Sequence, residues 1–407
     1  MSWKHLTVGA LALGAAALGI TRTGHPVLDE SVYVHGLGPG EQESILYVWT
    51  RDVDEKDSDF IAVIDADPES PRFGRILYRA PAGASGTEAH HFGYTANTGR
   101  IFAGGMFSND LFIYDVATDP SHPSLIRRMD LDPTGYSGPH TFYAVPGGML
   151  VTMLGAVDGG GPGGLLRLDE DGNARAVLPG PDHEGAPVFM YDVGVKPEMN
   201  RMITSSWAFP EHIKHGPTPP EQVGNAVVVW DYRAGKVLQV EEIDKAPLEV
   251  RWLHGPDARG GFINAAYGNS VWYWEDADGD GRLEFQRVIR LPDGSSPADM
   301  RISYDNQLLY VSLFGGNEVR QYDISTPRHP RLLASLALPH PNMMKLTPDS
   351  RRLYVSNSIL SPLDPDQKFG VWLVHVGPEG MRVDQRFKPD FVNLPTGPAG
   401  PHDMLLR

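Results

Sequence analysis

The sequence predicts an all-β chain closed into a seven-bladed β-propeller, and three observations predict it. Seven strand openings recur, each with one polar side chain able to bind a metal or a proton: His91, His140, Asp192, Glu249, Asp299, Asn342 and His402. They lie 43 to 60 residues apart, the period of four-stranded blades. The chain ends are also complementary. Three strand-like runs near the start lack an innermost partner, and the last segment, Gly400 to Leu406, is an innermost strand without outer ones. Joined, they make the seventh blade, so the ring closes by the C-terminal strand joining the N-terminal blade.

The runs follow in order. Ser44–Thr50, Asp59–Asp65 and Gly74–Arg79 are apolar, β-branched and aromatic, and a turn with two φ-fixing prolines at Asp67–Pro71 separates the last two. The next unit begins at Glu88-Ala89-His90-His91 and continues through Gly99–Gly105, Asp110–Val116 and Ser124–Arg128. A later unit repeats it: Asp299–Ser303, Leu308–Ser312, Glu318–Ile324 and Arg331–Ala334. Tyr114-Asp115-Val116, Trp230-Asp231-Tyr232 and Tyr322-Asp323-Ile324 hold equivalent places.

Composition bounds the function. The 407 residues are 41% hydrophobic, enough for a core, and 45 glycines and 35 prolines spread along the chain fit many short strands and turns. A net charge of −16 argues against nucleic acid as a partner. Without cysteine, any metal must be held by His, Asp, Glu, Met or water. Residues 1–24 have a basic start and an apolar run, Leu6–Ile20, which is short for a membrane span of about 20 residues. They read as a signal peptide or N-terminal anchor, giving a periplasmic or otherwise exported chain with no stable span after leader removal. Residues 25–407 are expected to form the propeller.

Innermost strands line a propeller's channel, so the seven openings are expected to form one ring. His402, His91 and His140 then fall on three consecutive blades, a nitrogen donor set suited to copper, zinc, iron or nickel. His90 joins them if the strand is bulged there, since neighbours otherwise alternate faces. Asp192, Glu249 and Asp299 across the channel read equally as proton acceptors or as salt-bridge partners of Arg251 and Arg301. His254, near a strand's far end, reads as a turn residue or a second channel site. Asp276, Asp278 and Asp280 are spaced as in a calcium loop, but position 12 is Arg287 rather than a bidentate Glu, so a polar hairpin tip is the plainer reading. Gly159–Gly164 precedes no helix and is not a phosphate cradle.

Several segments resemble the selenium-binding protein/methanethiol oxidase family. They are Asp59–Pro71, Glu88–His91, Pro247–His254, Val319–Ser325 with Pro330–Leu332, and Gly397–His402, in order along nearly the whole chain after the leader. The resemblance implies a seven-bladed propeller and a copper-dependent oxidase. It would convert methanethiol, O₂ and water to formaldehyde, hydrogen sulfide and hydrogen peroxide. It places copper-associated histidines at His90, His91, His140 and His402, and His254 matches a further recurrent histidine. Glu249 or Asp299 is then a candidate catalytic proton acceptor. Two departures stand out. The thiol to which the family's selenium binding is ascribed aligns near Gly74, and an insertion before the last blade is missing around residues 338–342. Two other functions share the predicted fold. One is a non-catalytic metal- or partner-binding propeller, for which Arg351–Asn357 resembles surface-layer-type repeats. The other is a lactonase-like hydrolase using an ion held by the acids.

Overall fold

The computed structural model describes residues 37, 41–364 and 369–407. The expected leader, residues 1–24, lies outside them. Among the described residues, no helix is long and apolar enough to cross a membrane.

Seven four-stranded antiparallel sheets form the blades. Blade I joins Ile45–Asp52, Phe60–Asp65 and Ile76–Pro81 to Ala399–Leu406, which is its innermost strand. The remaining innermost strands are Ala89–Tyr94 in blade II, Tyr136–Val145 in III, Val193–Lys196 in IV, Pro247–Trp252 in V, Pro297–Ile302 in VI and Met344–Leu346 in VII. The predicted fold and its closure are therefore present. Leu46 pairs with Leu406 and Asp52 with Ala399, so the two chain ends are held by one ladder.

Each gap between neighbouring blades holds its own apolar core. Trp49 and Tyr47 of blade I meet Phe112, Tyr114 and Tyr94 of blade II, with the Trp49 and Phe112 ring centroids 5.8 Å apart. Ile203 and Val229 of blade IV meet Trp252 and Trp274 of blade V, and Tyr310 of blade VI meets Leu353 and Val374 of blade VII. Alternating strand faces supply these residues. Burying Trp49, Trp230 and Trp274 fully makes the gaps the main source of stability.

A second device recurs on the inner strands. In blade II, Ala89 pairs with Gly105 and Phe92 with Ala103, so His90 and His91 both stand opposite Gly104. The same two-against-one bulge sets His140 and Thr141 opposite Thr152, Leu248 and Glu249 opposite Asn264, Ala298 and Asp299 opposite Ser312, and His402 and Asp403 opposite Trp49. The backbone bonds of Ser205 and Ser356 do likewise for Tyr191–Asp192 and Asn342–Met343. A bulge breaks strand alternation, which lets both residues of each doublet face the axis.

The opposing residue also staples its blade to the next. Thr152 Oγ1 donates to Tyr191 O at 2.6 Å, Asn264 Nδ2 to Pro297 O at 2.7 Å, Ser312 Oγ to Asn342 O at 2.7 Å and Ser356 Oγ to His402 O at 2.6 Å. Three of these bonds satisfy the carbonyls of bulged residues, Tyr191, Asn342 and His402.

Candidate metal centre

The doublets correct the expectation of a single ring. They make two layers. His90, His140, Tyr191, Leu248, Ala298, Asn342 and His402 come first in their doublets, and His91, Thr141, Asp192, Glu249, Asp299, Met343 and Asp403 second. His140, Asn342 and His402 are thus offset by one residue from His91 and the three acids. The histidines still meet, because His90 supplies the first layer of blade II while His91 reaches up from the second.

One ligand atom from each of His90, His91 and His140 lies within 4.8 Å of the others. The His91 and His140 ring centroids are 4.1 Å apart, and His402 stacks on His90 at 3.7 Å and stands 5.0 Å from His91. All four are at most 4% exposed. Burial, followed by the neighbouring imidazoles, pushes His90 and His140 well below the ordinary histidine range, and burial brings His402 down to about 3. These three are therefore neutral, the form that donates to a metal. His90 Nδ1, His91 Nε2, His140 Nε2 and His402 Nε2 are buried without a hydrogen-bond partner. Such orphaned nitrogens cost about 1–3 kcal/mol each. The close set of His90, His91 and His140 fits a metal-binding donor set, and His402, stacked on His90, stands at its edge outside the 4.8 Å group.

The two sides of the centre differ chemically. Above it, Tyr191 and Leu248 join Met106, Leu154, Trp207 and Leu360 in an apolar roof. Tyr191 packs on His140 at 3.8 Å, and Trp207 on Tyr191 at 5.7 Å. The roof is built by the excursion between the blade IV strands Arg201–Thr204 and Ala226–Asp231, which carries the short helix Pro210–Ile213. Glu88 ties down its other flank. The Glu88 carboxylate accepts from Ser361 N at 3.1 Å and from the Ser361 hydroxyl, and lies 3.7 Å from Arg51 Nε.

Below the centre is a cavity of about 110 Å³ lined by His91, Asp403, Lys345, Arg301, Glu249 and Arg251, among others. Here the salt-bridge reading of the acids holds. Arg251 Nη1 lies 2.9 Å from Asp192 Oδ2, Arg251 Nη2 lies 2.9 Å from Asp299 Oδ1 and also contacts Glu249, and Arg301 Nη1 lies 2.8 Å from Asp299 Oδ1. Backbone N–H groups take further lone pairs: Val250 N donates to Asp192 Oδ2 at 2.7 Å and Met344 N to Asp299 Oδ2 at 2.8 Å. Asp192 and Asp299 thus have their carboxylate oxygens engaged by guanidinium and backbone N–H groups. Glu249 is different, because its Oε1 has no partner. Burial, then the Asp192 charge, pushes its carboxyl well above the usual range against the pull of Arg251.

The structure does not bring His254 to the other histidines' ligand atoms. It lies beyond the innermost strand of blade V, stacked on Tyr304 at 4.4 Å, with Nε2 3.2 Å from Ile302 O. Asp276, Asp278 and Asp280 do converge, with one oxygen of each within 4.8 Å of the others at an exposed hairpin tip. Asp276 is already engaged there by Gly281 N at 3.1 Å and Arg259 at 3.4 Å. Gly74 has φ +76°, and a Cβ there would stand 2.8 Å from Lys388 N and from Phe387 Cα. A thiol side chain therefore has no room at that position.

The residues not foreseen are Asp403, Lys345, Tyr191 and Trp207. Asp403 carried a usable signal: it completes His402-Asp403 as a doublet like His90-His91.

Fold and site together define a seven-bladed propeller with a buried four-histidine centre on its axis. Residues 35–407 match the 56kDa selenium binding protein (SBP56) family, and the chain belongs to it. A methanethiol oxidase from Hyphomicrobium sp is 31% identical over 97% of this chain and 94% of its own length. A methanethiol oxidase from Ruegeria pomeroyi is 31% identical over 97% of both chains. The solved structure of a hypothetical selenium-binding protein from Sulfolobus tokodaii superposes with a TM-score of 0.81 at 26% identity, covering 93% of this chain and 97% of that one.

Proposed function

We propose that this protein is an exported, copper-dependent oxidase of a small thiol of the methanethiol type, converting methanethiol, O₂ and water to formaldehyde, hydrogen sulfide and hydrogen peroxide. The observation that carries the reading is the buried cluster of histidine rings with partnerless nitrogens, His90 Nδ1, His91 Nε2, His140 Nε2 and His402 Nε2, of which His90, His91 and His140 offer ligand atoms within 4.8 Å of one another. The relatives named methanethiol oxidase, at 31% identity over almost the whole chain, support the substrate class.

His90, His91, His140 and His402 would hold the metal. When bound, copper supplies Lewis acidity toward a thiolate and a redox couple for its oxidation by O₂; thiolate is a soft ligand, and imidazole suits copper. Tyr191, Trp207, Met106 and Leu360 give the methyl group an apolar contact and exclude water from that side. Their bulk above His140 favours a one-carbon thiol over longer ones. On the other side, Glu249 lines the polar cavity and has one carboxyl oxygen without a partner, and burial raises its carboxyl above the usual range. It is the group placed to exchange a proton with water there. Asp299, with both oxygens engaged by Arg251, Arg301 and backbone N–H groups, holds the Arg251 guanidinium rather than taking a proton.

Copper content and peroxide release from methanethiol, measured on wild type and His140→Ala, test this. The expected result is about one copper per centre and turnover in the wild type, both lost in the variant. Equal copper and turnover in the two proteins would reject the site.

A further inference from the structure

The four rings are not backed alike. His402 Nδ1 lies 2.8 Å from Ser358 O, and His140 Nδ1 lies 3.2 Å from Thr141 Oγ1, both neutral partners. His91 Nδ1 faces a charge instead, 3.4 Å from Asp403 Oδ2. The other carboxylate oxygen accepts from Met404 N at 2.7 Å and lies 3.7 Å from Lys345 Nζ. Asp403 and Lys345 are 5% and 4% exposed.

The arrangement is a modified form of a repeated contact. In blades IV and VI the second-layer acid takes its own following N–H with Oδ1 and reaches the next blade's backbone with Oδ2: Asp192 to Val250 N, Asp299 to Met344 N. Asp403 in blade I takes Met404 N with Oδ1 in the same way, but its Oδ2 meets the imidazole of His91 on blade II. Where the other two acids hydrogen-bond the next blade's backbone, this one stands 3.4 Å from a side-chain nitrogen of the next blade.

We propose that Asp403, held in place by Lys345, is a positioning residue of the centre: it fixes the proton of His91 on Nδ1, so that Nε2 turns its lone pair toward His90 and His140. This deepens the metal reading and rests on it. The physical reason is the tautomer. A neutral imidazole carries one proton, and a ring with that proton on Nε2 presents a donor where a metal needs a lone pair. A carboxylate behind a ligating histidine removes that ambiguity and makes the ring a better donor. Lys345 Nζ, 3.7 Å from Asp403 Oδ1, and Met404 N, donating to the same oxygen at 2.7 Å, fix the carboxylate so that Oδ2 is left to His91.

Asp403→Asn gives a sharp test because it preserves shape. The amide oxygen can still accept from Met404 N, and the amide nitrogen then donates toward His91 Nδ1, which forces the proton onto Nε2. Nitrogen-15 NMR of histidine-labelled, metal-free full-length protein reads the tautomer, and titration with Cu(II) followed by EPR reads the centre. In the wild type, His91 is expected to carry its proton on Nδ1. In D403N it is expected on Nε2, with Cu(II) affinity lower by roughly 10–100-fold and an altered EPR spectrum. A metal-free wild type with the His91 proton on Nε2 overturns the proposal, and this holds even if D403N fails to fold. So does a folded D403N with unchanged tautomer and affinity. A wild type that binds no Cu(II) yet keeps the proton on Nδ1 supports the positioning role and removes the metal reading instead.

Discussion

His90 and His402 stack face to face, ring centroids 3.7 Å apart and planes 19° from parallel, although one opens the second blade and the other lies five residues before Arg407. The contact exists only because the C-terminal strand completes the first blade. Closure of the ring and assembly of the centre are one event.

Removing residues 399–407 should therefore cost the fold and not only the centre. The deletion withdraws the innermost strand of blade I and exposes Val48, Trp49 and the core beside them. The expected outcome is loss of the cooperative unfolding transition and an expanded particle in gel filtration. A truncated chain with wild-type size and transition would refute the closure.

His402→Ala should leave a folded, metal-poor protein. It removes one partnerless nitrogen and one stacked ring from a site that no apolar core depends on. Copper per chain should fall at least tenfold, while stability of the metal-free protein changes by no more than about 1–2 kcal/mol. Metal analysis and urea unfolding of the apo protein check the two halves separately.

Arg251→Met should destabilise strongly. The guanidinium pairs with Asp192, Asp299 and Glu249, so its loss leaves buried carboxylates uncompensated. A cost of about 3–5 kcal/mol is expected, read as a shift of the denaturation midpoint. A shift under about 1 kcal/mol, the size of an exposed pair, would show that these charges are hydrated.

Trp207→Ala should relax substrate size. The indole packs on Tyr191 at 5.7 Å, and Tyr191 covers His140. The expected change is a several-fold rise in kcat/KM for propanethiol relative to methanethiol, since one or two methylenes of pocket are worth about 1–3 kcal/mol. An unchanged ratio would place the substrate elsewhere.

Lys345 predicts a pH effect of definite sign. Burial, opposed by Asp403, brings its amine down to about 8, against about 10.4 in an unfolded chain. The folded state thus binds fewer protons between those values. Stability should rise with pH across that window, and the contribution is lost as pH falls through about 8. Unfolding of wild type minus Lys345→Met, measured from pH 7.5 to 10, should show a positive slope. A flat or negative difference would contradict the buried amine.

The sequence by itself determined the propeller and its closure. The four-strand period, the runs around Trp49 and Tyr114, and the complementary ends are local or repeated features, and strand periodicity reads them directly. It also determined that histidines from three neighbouring blades would gather, because His91, His140 and His402 each sit in an innermost strand. Only the tertiary structure decided which atoms meet. Strand alternation would point His90 away from His91, and the bulge opposite Gly104 turns both inward. The same bulges shift His140 and His402 into a layer above Glu249 and Asp299, a one-residue offset that the strand openings do not show in the sequence. The partners of Asp403 lie on blades II and VII, and the roof over His140 is folded in from blade IV. Such contacts join residues far apart in the chain, so they follow from blade packing and not from any pattern within a single repeat.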